Sequence, residues 1–296
     1  MKKNAKKTVL ITGASAGIGR HAAFALLARG HDVFVTGRKA SDLEAVLREA
    51  ESLNLPGACH TIILDVDSAA SAKAAHAEVL RLTEGRGIDT LVNNAGYATA
   101  GPLIELSDEA LHAQFETNVF GLMRVTKLFA SEMIARGEGR ILMIGSVSGR
   151  IPAPMLGAYH ATKYALEALN DSLRMELKTL GIDVVMIEPG TIRTEFAGRA
   201  ISEARAQQRE GTLYGHVYER QAMIAARFDK LAAPPKVVSD AIIWQTEARR
   251  PRTRVVAPGR FLLLIAAIKF FPTCWVDALM RRVAGLGGRL GRSALA

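Results

Sequence analysis

The stretch "TVLITGASAGIGR", Thr8 to Arg20, joins a short apolar run to a glycine-rich turn and the start of a helical pattern. The apolar run is typical of a buried β-strand. Gly13, Gly17 and Gly19 follow it, and glycine lets the backbone turn tightly and approach a phosphate group. A pyrophosphate can then bind to the N–H groups at the helix N-terminus. The stretch predicts a dinucleotide site at the first strand-to-helix turn of an α/β fold.

The same alternation continues along the chain. Apolar runs rich in β-branched residues are separated by longer segments whose apolar residues recur every three or four positions. This pattern indicates βαβ units with right-handed crossovers and a parallel sheet covered on both faces, so we expect a Rossmann-type, doubly wound α/β fold. The predicted strands are 8–13, 32–37, 60–66, 88–96, 139–146, 182–190 and 253–258, and the predicted helices include 20–29, 42–53, 69–82, 107–136 and 158–180.

We expect residues 1–258 to form this one domain. The segment 191–235 lies between the last two predicted strands and is far longer than a usual connection, so it must carry helices of its own. Long insertions often form lids over binding sites, and the alternative is a helical excursion without function. Residues 259–296 are predicted to be a basic amphipathic extension packed on the same domain.

Charge is concentrated at the end of the chain. Thr246 to Ala296 contains ten Arg or Lys residues and two acidic residues, so it carries +8 of the formal net charge of +9. Such a segment could bind nucleic acid, anionic lipid or an acidic ligand. A solvated basic surface is the interpretation we favour, and we expect no nucleic-acid partner.

Cysteine and histidine usage indicates neither disulfides nor a metal site. Cys59 and Cys274 form no ligand pattern and the seven histidines are scattered, which favours a reduced, cytoplasmic protein without metal. The start "MKKNAKK" is not followed by the long apolar run of a signal peptide. The apolar run Phe261–Ile268 is shorter than the ~20 residues of a membrane span. We therefore expect no transmembrane helix.

The residues after the second predicted strand favour one dinucleotide over the other. An NAD-binding protein usually has a carboxylate here for the adenosine ribose, but this chain has Gly37, Arg38 and Lys39. A guanidinium suits a 2′-phosphate by charge and by bidentate geometry, so we expect NADP(H) in preference to NAD(H). In the alternative, Arg38 is solvated and Asp42 supplies the acid. Ser41 and Asp42 are, however, explained as the cap of the next helix.

A second motif overlaps the glycine turn. Gly13–Gly17 also matches GxSxG, the nucleophile elbow of α/β-hydrolases, with Ser15 as the nucleophile. An elbow normally follows the strands that build its oxyanion hole, and a hydrolase does not explain Gly19. We therefore reject the hydrolase interpretation.

Ser146, Tyr159 and Lys163 carry the predicted chemistry. Tyr159 and Lys163 are four residues apart in a predicted helix and so lie on one face. A tyrosine with a pKa of about 10 is a poor acid–base group at neutral pH, but a nearby ammonium group and an oxidised nicotinamide ring lower that pKa. Ser146 follows a strand at the sheet edge where ligands bind, and its hydroxyl can hold a substrate oxygen. His160 and Ser148 are left out of the mechanism.

Together these motifs resemble those of the short-chain dehydrogenase/reductase family, over most of residues 7–258. The resemblance rests on "TGASAGIG" (12–19), "NNAG" (93–96), Asn118 in "TNVFG", Ser146, "YHATK" (159–163) and "PGTIRT" (189–194), which occur in the family's order and spacing.

The resemblance implies a role for each matching residue. Tyr159 is the acid in ketone reduction and the base in alcohol oxidation, and Ser146 orients the carbonyl. Lys163 lowers the tyrosine pKa and binds the nicotinamide ribose, and Asn118 holds a water that relays protons to Lys163. Asp65 contacts the adenine, Asn93 steadies the central strands, and the stretch from Pro189 contacts the nicotinamide carboxamide. The implied cofactor-binding residues are Gly13, Ser15, Gly17, Ile18, Gly19, Arg38, Asp65, Val66, Asn93, Ala95, Gly96, Tyr159, Lys163, Pro189, Gly190, Ile192 and Thr194.

The expected substrate is a lipophilic ketone, or aldehyde, and its alcohol. The predicted pocket walls, Tyr97–Leu103, Val147–Leu156 and Phe196 with Tyr214 and Tyr218, are largely apolar. The insertion and the extension resemble those of the hydroxysteroid- and retinol-dehydrogenase-like branches. The alternatives are a 3-oxoacyl-thioester reductase of the same family and a non-catalytic NADPH-responsive binding protein.

Two expectations concern partners. The extension 259–296 has apolar residues at helical spacing with basic residues nearby, so it is a candidate for peripheral membrane contact, for a cap on the pocket or for a dimer interface. By analogy with the family, the helices predicted at 107–136 and 158–180 pair the chain into a homodimer or homotetramer.

Overall fold

A computed structural model describes residues 5–206, 208 and 210–287. Seven strands form one sheet in the order β3-β2-β1-β4-β5-β6-β7, and every neighbouring pair is parallel. This confirms the predicted doubly wound α/β fold. The strands are β1 Thr8–Ile11, β2 Asp32–Gly37, β3 Cys59–Ile63, β4 Thr90–Asn93, β5 Gly139–Ile144, β6 Ile182–Pro189 and β7 Arg254–Ala257.

Helices connect the strands and continue past the last one. In the described part of the chain, two helices occur within the insertion 191–235, as its length required, and two more follow β7. The helices are α1 Gly17–Ala28, α2 Ala40–Ser52, α3 Ala69–Leu82, α4 Asp108–Phe115, α5 Leu122–Arg136, α6 Gly157–Lys178, α7 Phe196–Ala206, α8 Gly215–Leu231, α9 Lys236–Glu247, α10 Phe261–Phe270 and α11 Thr273–Ala284.

Two local predictions about helices are wrong. The segment 107–136 is not one regular helix, because a π-helical turn at Glu116–Gly121 separates α4 from α5. The N-cap of α2 is Lys39, which makes no side-chain capping bond. Ser41 and Asp42 therefore lie inside the first turn of α2. There the negative charge of Asp42 interacts favourably with the positive end of the helix dipole.

The sheet is buried on both faces because alternate residues of each strand enter different clusters. On β1, Leu10 packs with Phe129 of α5 in one cluster. Its neighbours Val9 and Ile11 pack with Leu26 of α1 in the other. The two clusters leave the carboxyl ends of the strands as the edge at which loops and helix N-termini meet.

A charged cluster joins α6 to the last two strands. Glu188 of β6 is completely buried, and the Arg254 guanidinium on β7 forms ion pairs with Glu188 and with Glu167 of α6. A third contact links Arg254 to Asp171 at 3.2 Å, and Arg150 lies 3.1 Å from Glu188. Burial raises the pKa of Glu167 to about 7, and its hydrogen bond from Arg254 opposes that rise.

The insertion begins and ends at a narrow neck. Ala233 N–H donates to Thr191 O at 2.9 Å, and Arg193 N–H donates to Ala233 O at 2.9 Å. Ile192 and Ala233 form an isolated parallel bridge. Residues 207 and 209 of the insertion lie outside the described residues.

The segment after β7 contacts the domain through few residues. Ile265 of α10 is buried against Ile151 and Val256, and Phe261 packs beside them. A side chain at Gly190 would collide with the Phe261 ring. Among the described residues no helix is both long and apolar enough to cross a membrane. Residues 1–4, and residues 288–296 of the predicted extension, lie outside the described part.

Replacing Arg254 with methionine should destabilise the fold by about 3 kcal/mol, because the buried Glu188 and the partly buried Glu167 would lose the cation that they share. In wild type, Glu167 keeps its proton to about pH 7 in the folded chain but loses it near its ordinary pKa of about 4.3 when unfolded. Its contribution to stability therefore falls as the pH rises between those values. Without Arg254 the pKa of Glu167 in the folded chain should rise further. The stability lost on replacing Arg254 should therefore be greater at pH 8 than at pH 5.

Urea unfolding of Arg254→Met at both pH values measures this effect. Arg249→Met, at an exposed position in the loop before β7, is the matched control and should change stability by less than about 0.5 kcal/mol. An equal loss at pH 5 and pH 8 would contradict the electrostatic explanation.

Candidate active site

The turn between β1 and α1 requires glycine because of its backbone angles and because nearby atoms leave no space for a Cβ. Gly13 and Gly17 have φ angles of 62° and 56°, in the left-handed region. A Cβ at Gly13 would lie 3.0 Å from Ala95 Cα, and one at Gly19 would lie 2.5 Å from Asn94 Nδ2. The N-cap of α1 is alanine, which makes no side-chain capping bond. The first N–H groups of α1 thus form a cradle suited to a pyrophosphate.

The turns after β1 and β4 are locked together. Asn94 Nδ2 donates to Thr12 O at 2.9 Å and to Gly13 O at 3.1 Å. Thr12 Oγ1 accepts from the N–H groups of Asn94 and Ala95, each at 2.9 Å. Sequence reasoning missed Asn94, although it lies inside the quoted motif "NNAG".

Asn93, the implied strand-steadying residue, points into the core. Its Nδ2 donates to Thr126 Oγ1 at 2.8 Å and contacts Met143 Sδ at 3.3 Å. These bonds join β4 to α5 and β5. They fit the expected structural role and place the side chain beneath the sheet edge.

The adenosine end of the predicted site contains one acid that was expected and one that was missed. Asp65 Oδ1 accepts from the Asp67 N–H at 3.2 Å, which closes the loop after β3. Asp67 Oδ2 accepts from the Thr117 hydroxyl at 2.9 Å. Its Oδ1 is buried without a partner among the described residues, and burial raises the pKa of this carboxyl. The motif "LDVD" was the available signal for Asp67.

The other predicted cofactor residues of this half differ in exposure and in the contacts they make. Arg38 is exposed at the end of β2, and its charge acts on Asp67 and Tyr97. Ser15 lies beside Gly37, where a Cβ would be 3.4 Å from the Ser15 hydroxyl. Ile18 packs on the core, and the Val66 carbonyl accepts from Arg124 at 2.5 Å. Contact of these two residues with the cofactor stays a prediction.

Asn118 lies in the π-helical turn and is almost completely buried. Its Nδ2 donates to Tyr97 O at 2.9 Å and to Thr162 Oγ1 at 3.1 Å, while Oδ1 accepts from Tyr97 N–H at 3.1 Å. A Cβ at Gly96 would lie 3.0 Å from that oxygen. The side chain thus ties the loop after β4 to α6 at the residue before Lys163, and both of its N–H groups already have acceptors in the protein.

Ser146, Tyr159 and Lys163 meet at the carboxyl end of β5. Ser146 follows β5, and its hydroxyl lies within hydrogen-bonding reach of the Tyr159 phenol. Lys163 lies one helical turn after Tyr159, with Nζ 5.8 Å from the centre of the phenol ring, and it donates to Ile144 O at 2.8 Å. The predicted trio is therefore brought together, with each side chain 8% exposed.

Burial sets the protonation of the trio. It raises the pKa of Tyr159 to about 12, and the hydrogen bond from Ser146 opposes that rise. It lowers the pKa of Lys163 to about 8, and the charge of Glu167 opposes the fall. In the protein by itself, the cost of burying a phenolate dominates the tyrosine pKa. The lowering of that pKa by the Lys163 ammonium group together with an oxidised nicotinamide ring stays a prediction.

His160 holds the catalytic loop in place. Its Nδ1 donates to Ser148 O at 2.8 Å, and burial lowers its pKa, so the ring is neutral at pH 7. The Ser148 N–H in turn donates to Ser146 Oγ at 3.0 Å. Both residues fix Ser146.

The stretch after β6 reaches the other side of the site. Thr194 lies against the start of α1, 3.8 Å from where a Cβ of Gly17 would be. Pro189 O accepts a long, 3.4 Å hydrogen bond from the Ser146 hydroxyl. Gly190 N–H donates to Ala257 O at 2.9 Å, and Ile192 pairs with Ala233.

Apolar side chains cover Tyr159. The rings of Tyr159 and Phe196 of α7 are 5.6 Å apart, and Ala98 and Ala200 complete this cluster. Beside it lies a second apolar cluster, whose buried members are Ala100, Met155, Ala204, Val217 and Tyr218. Within the described ranges no group of three or more His, Cys, Asp or Glu could hold a metal ion.

Comparisons with known proteins agree with this geometry. The sequence profile of the family described as short chain dehydrogenase matches residues 7–205. The chain therefore belongs to the short-chain dehydrogenase/reductase family of oxidoreductases, as its motifs predicted.

Similar proteins cover nearly the whole chain. An NADPH-dependent 3-dehydrocapnine reductase from Ornithobacterium rhinotracheale is 31% identical over 274 residues, which are 91% of this chain and 94% of that protein. The 17-beta-hydroxysteroid dehydrogenase type 1 of Homo sapiens is 33% identical over 289 residues, 95% of this chain and 87% of that one. A crystal structure of a short-chain dehydrogenase from Streptomyces avermitilis superposes with a TM-score of 0.75 at 26% identity, covering 97% of this chain and 99% of that one.

The lowered pKa of Lys163 predicts a pH dependence. The ammonium group loses its proton as the pH rises through about 8, and with it the charge that can hold a ribose and support the phenol. We expect kcat/KM for the reduced dinucleotide, which reports ionisation in the free enzyme, to be flat below pH 8 and to fall about tenfold per pH unit above it.

Lys163→Arg is the diagnostic variant, because its guanidinium stays charged beyond pH 12. Its activity should be low but flat across the same range, whereas Lys178→Met, at the far end of α6, should keep the wild-type profile. A fall at pH 8 that persisted in Lys163→Arg would assign the titration to another group.

Proposed function

We propose that the protein is an NADP(H)-dependent oxidoreductase that interconverts a lipophilic ketone, or aldehyde, and its alcohol. The observation that carries this proposal is the Tyr159 phenol, held between Ser146 and Lys163 beneath apolar side chains. A phenol with a pKa of about 12 keeps its proton at neutral pH. It is thus available to donate that proton when a carbonyl oxygen becomes an alkoxide.

Each residue of the trio has one task in this reaction. In reduction, the Tyr159 hydroxyl donates a proton to the substrate oxygen, and in oxidation the phenolate accepts one. The Ser146 hydroxyl orients that oxygen and stabilises its developing charge. Lys163 and the Asn118–Thr162 contact keep the start of α6 in position. The dinucleotide, when bound, supplies or accepts the hydride.

The residues fit a dinucleotide. The uncapped start of α1 and the left-handed Gly13 and Gly17 suit its pyrophosphate. Thr194 lies close to Gly17 and would face the nicotinamide half. Arg38 supports NADP(H), because an exposed guanidinium after β2 can bind a 2′-phosphate at two oxygens. The relative named as NADPH-dependent agrees with this choice.

The apolar cover supports a lipophilic substrate. Phe196, Ala98 and Ala200 surround the phenol, and the neighbouring cluster around Met155 and Tyr218 extends the apolar surface. A charged or sugar-like substrate would have to lose its hydration against these side chains. The helices α7 and α8 of the insertion 191–235 act as the lid, and its neck allows them to move as a unit. The similarity to a hydroxysteroid dehydrogenase agrees with a large apolar substrate.

Pairing of the chain into a homodimer or homotetramer is part of the same proposal. Exposed apolar side chains on the outer surface of α6 and the neighbouring π-helical turn support it, notably Phe120, Tyr164 and Met175 at 55%, 43% and 64% exposure.

One prediction of the proposed function concerns the substrate. With NADPH, ketones of steroid or retinoid size should be reduced with a higher kcat/KM than small β-ketoacyl thioesters. Tyr159→Phe should lower kcat by about 10²- to 10⁴-fold, because the proton donor is lost, while NADPH still binds. Tyr164→Phe, at an exposed position on the same helix, is the matched control and should retain full activity.

Each alternative has its own outcome in this assay. A preference for the small thioesters would move the protein to the acyl-reductase branch. NADPH binding without turnover of any compound would favour a binding protein. Unchanged turnover in Tyr159→Phe would remove that residue from the mechanism.

The second prediction concerns the cofactor. Arg38→Leu should raise KM for NADPH at least about tenfold, since hydrogen bonds to charged groups contribute ~1.5–3 kcal/mol each. KM for NADH should change little. Arg48→Leu, at an exposed position on α2, controls for the loss of surface charge. If Arg38→Leu weakened both dinucleotides equally, the 2′-phosphate would be read elsewhere.

A further inference from the structure

Helix α10 is apolar except for Lys269 and yet mostly exposed. Its sequence is "FLLLIAAIKF", and Ile265 is its buried residue. Leu263 and Phe270 are 78% and 85% exposed. Exposure continues into the next turn and α11. We call these residues the C-terminal apolar face: Leu262, Leu263, Leu264, Phe270, Phe271, Trp275, Leu279 and Val283.

A helix of this kind is not a usual water-facing helix. Surface helices have a polar face, and a helix that is apolar all round is normally covered by protein or by lipid. Contiguous apolar patches on soluble proteins mark interaction sites. The C-terminal apolar face therefore calls for an occupant.

The surrounding charges favour an anionic occupant. Residues 259–287 contain four cations, Arg260, Lys269, Arg281 and Arg282, and one acid, Asp277. All four cations are exposed. A two-fold pairing of this face with a second copy would place the same cations against each other, and like charges across an interface weaken it.

Aromatic rings collect where α10 meets α11. The rings of Phe270 and Phe271 are 5.8 Å apart, and those of Phe271 and Trp275 are 6.1 Å apart. Aromatic residues are enriched at the depth where a bilayer meets water. The ten residues of α10 span about 15 Å, half of the ~30 Å apolar thickness of a bilayer. A helix of this length can lie in the interface but cannot cross it.

We propose that α10 and α11 bind the surface of an anionic lipid bilayer, with the C-terminal apolar face immersed among the acyl chains and the cations against the headgroups. The face adjoins the site, because Ile265 and Phe261 pack on Val147 and Ile151 of the loop after Ser146. Past α11, Leu286 packs on the cluster of Tyr214 and Tyr218 near the lid. An apolar molecule dissolved in the bilayer would thus reach the site without crossing water. Bilayer binding itself is independent of the proposed chemistry.

Vesicle sedimentation with the full chain tests the proposal. The protein should pellet with phosphatidylglycerol/phosphatidylcholine vesicles at least about tenfold more than with phosphatidylcholine alone, because each basic residue near the surface adds ~1 kcal/mol of attraction. High salt should release part of the bound protein. In a Trp244→Phe background, Trp275 is the remaining tryptophan, so its emission should shift to the blue and be quenched by brominated acyl chains.

Matched variants separate the contributions. Leu263→Glu combined with Phe270→Glu should lower binding to anionic vesicles at least tenfold. Leu53→Glu, at a 54% exposed apolar position at the end of α2, should not. Arg281→Gln with Arg282→Gln should weaken binding to anionic vesicles about tenfold and leave the weak binding to neutral vesicles unchanged. Circular dichroism and thermal unfolding of each variant confirm that the chain is folded.

Two results would overturn the proposal. Wild-type protein could remain in the supernatant with anionic vesicles while Trp275 emission stays unshifted. Alternatively, sedimentation without lipid could show an oligomer that Leu263→Glu with Phe270→Glu dissociates while vesicle binding is absent, which would make the face a subunit interface. Loss of reductase activity with intact vesicle binding would instead count against the proposed function alone.

Discussion

The hydrogen bonds between Thr12 and Asn94 hold together the two halves of the site. They cross the point between β1 and β4 where the strand order reverses and where an open α/β sheet leaves a crevice. The dinucleotide turn lies on one side of this point and the catalytic trio on the other. The steric limits on Gly13 and Gly19 arise from the same contact, because Ala95 and Asn94 fill the space that a Cβ would need. The Asn94 side chain thus helps to fix the dinucleotide turn relative to the proposed catalytic acid.

Burial makes the trio of Ser146, Tyr159 and Lys163 a weak base. The pKa values of Tyr159 and Lys163 move in opposite directions, to about 12 and about 8, because a low-dielectric site penalises both phenolate and ammonium. The site is thus suited to proton donation in the protein alone. Proton acceptance needs an added positive charge, which is what an oxidised nicotinamide ring brings. In the neighbouring cluster, the Arg254 guanidinium forms ion pairs with both Glu167 and Glu188.

Much of this could be predicted from the sequence. Strand periodicity located all seven strands, since parallel strands buried on both faces are nearly continuous apolar runs. The order of motifs predicted the trio. Other features depend on three-dimensional contacts that no local pattern records. The π-helical turn around Asn118 contains Thr, Asn, Val and Gly, but no local pattern distinguishes such a turn from the end of an ordinary helix. The raised pKa of Tyr159 follows from its burial, to which Phe196, distant in the chain, contributes. The sequence did not single out Asn94, because its neighbour Asn93 has the same side chain and points the other way.

The neck at Thr191 and Ala233 makes the insertion a separable module. Its two ends are fixed to each other by hydrogen bonds, so the sheet is indifferent to the length of chain between them. Each doubling of such a loop adds only about 0.6 kcal/mol of closure entropy. Evolution can therefore exchange or resize α7 and α8 while the dinucleotide turn and the proposed catalytic acid, Tyr159, stay in place. Substrate range and hydride chemistry can diversify at different rates in one chain.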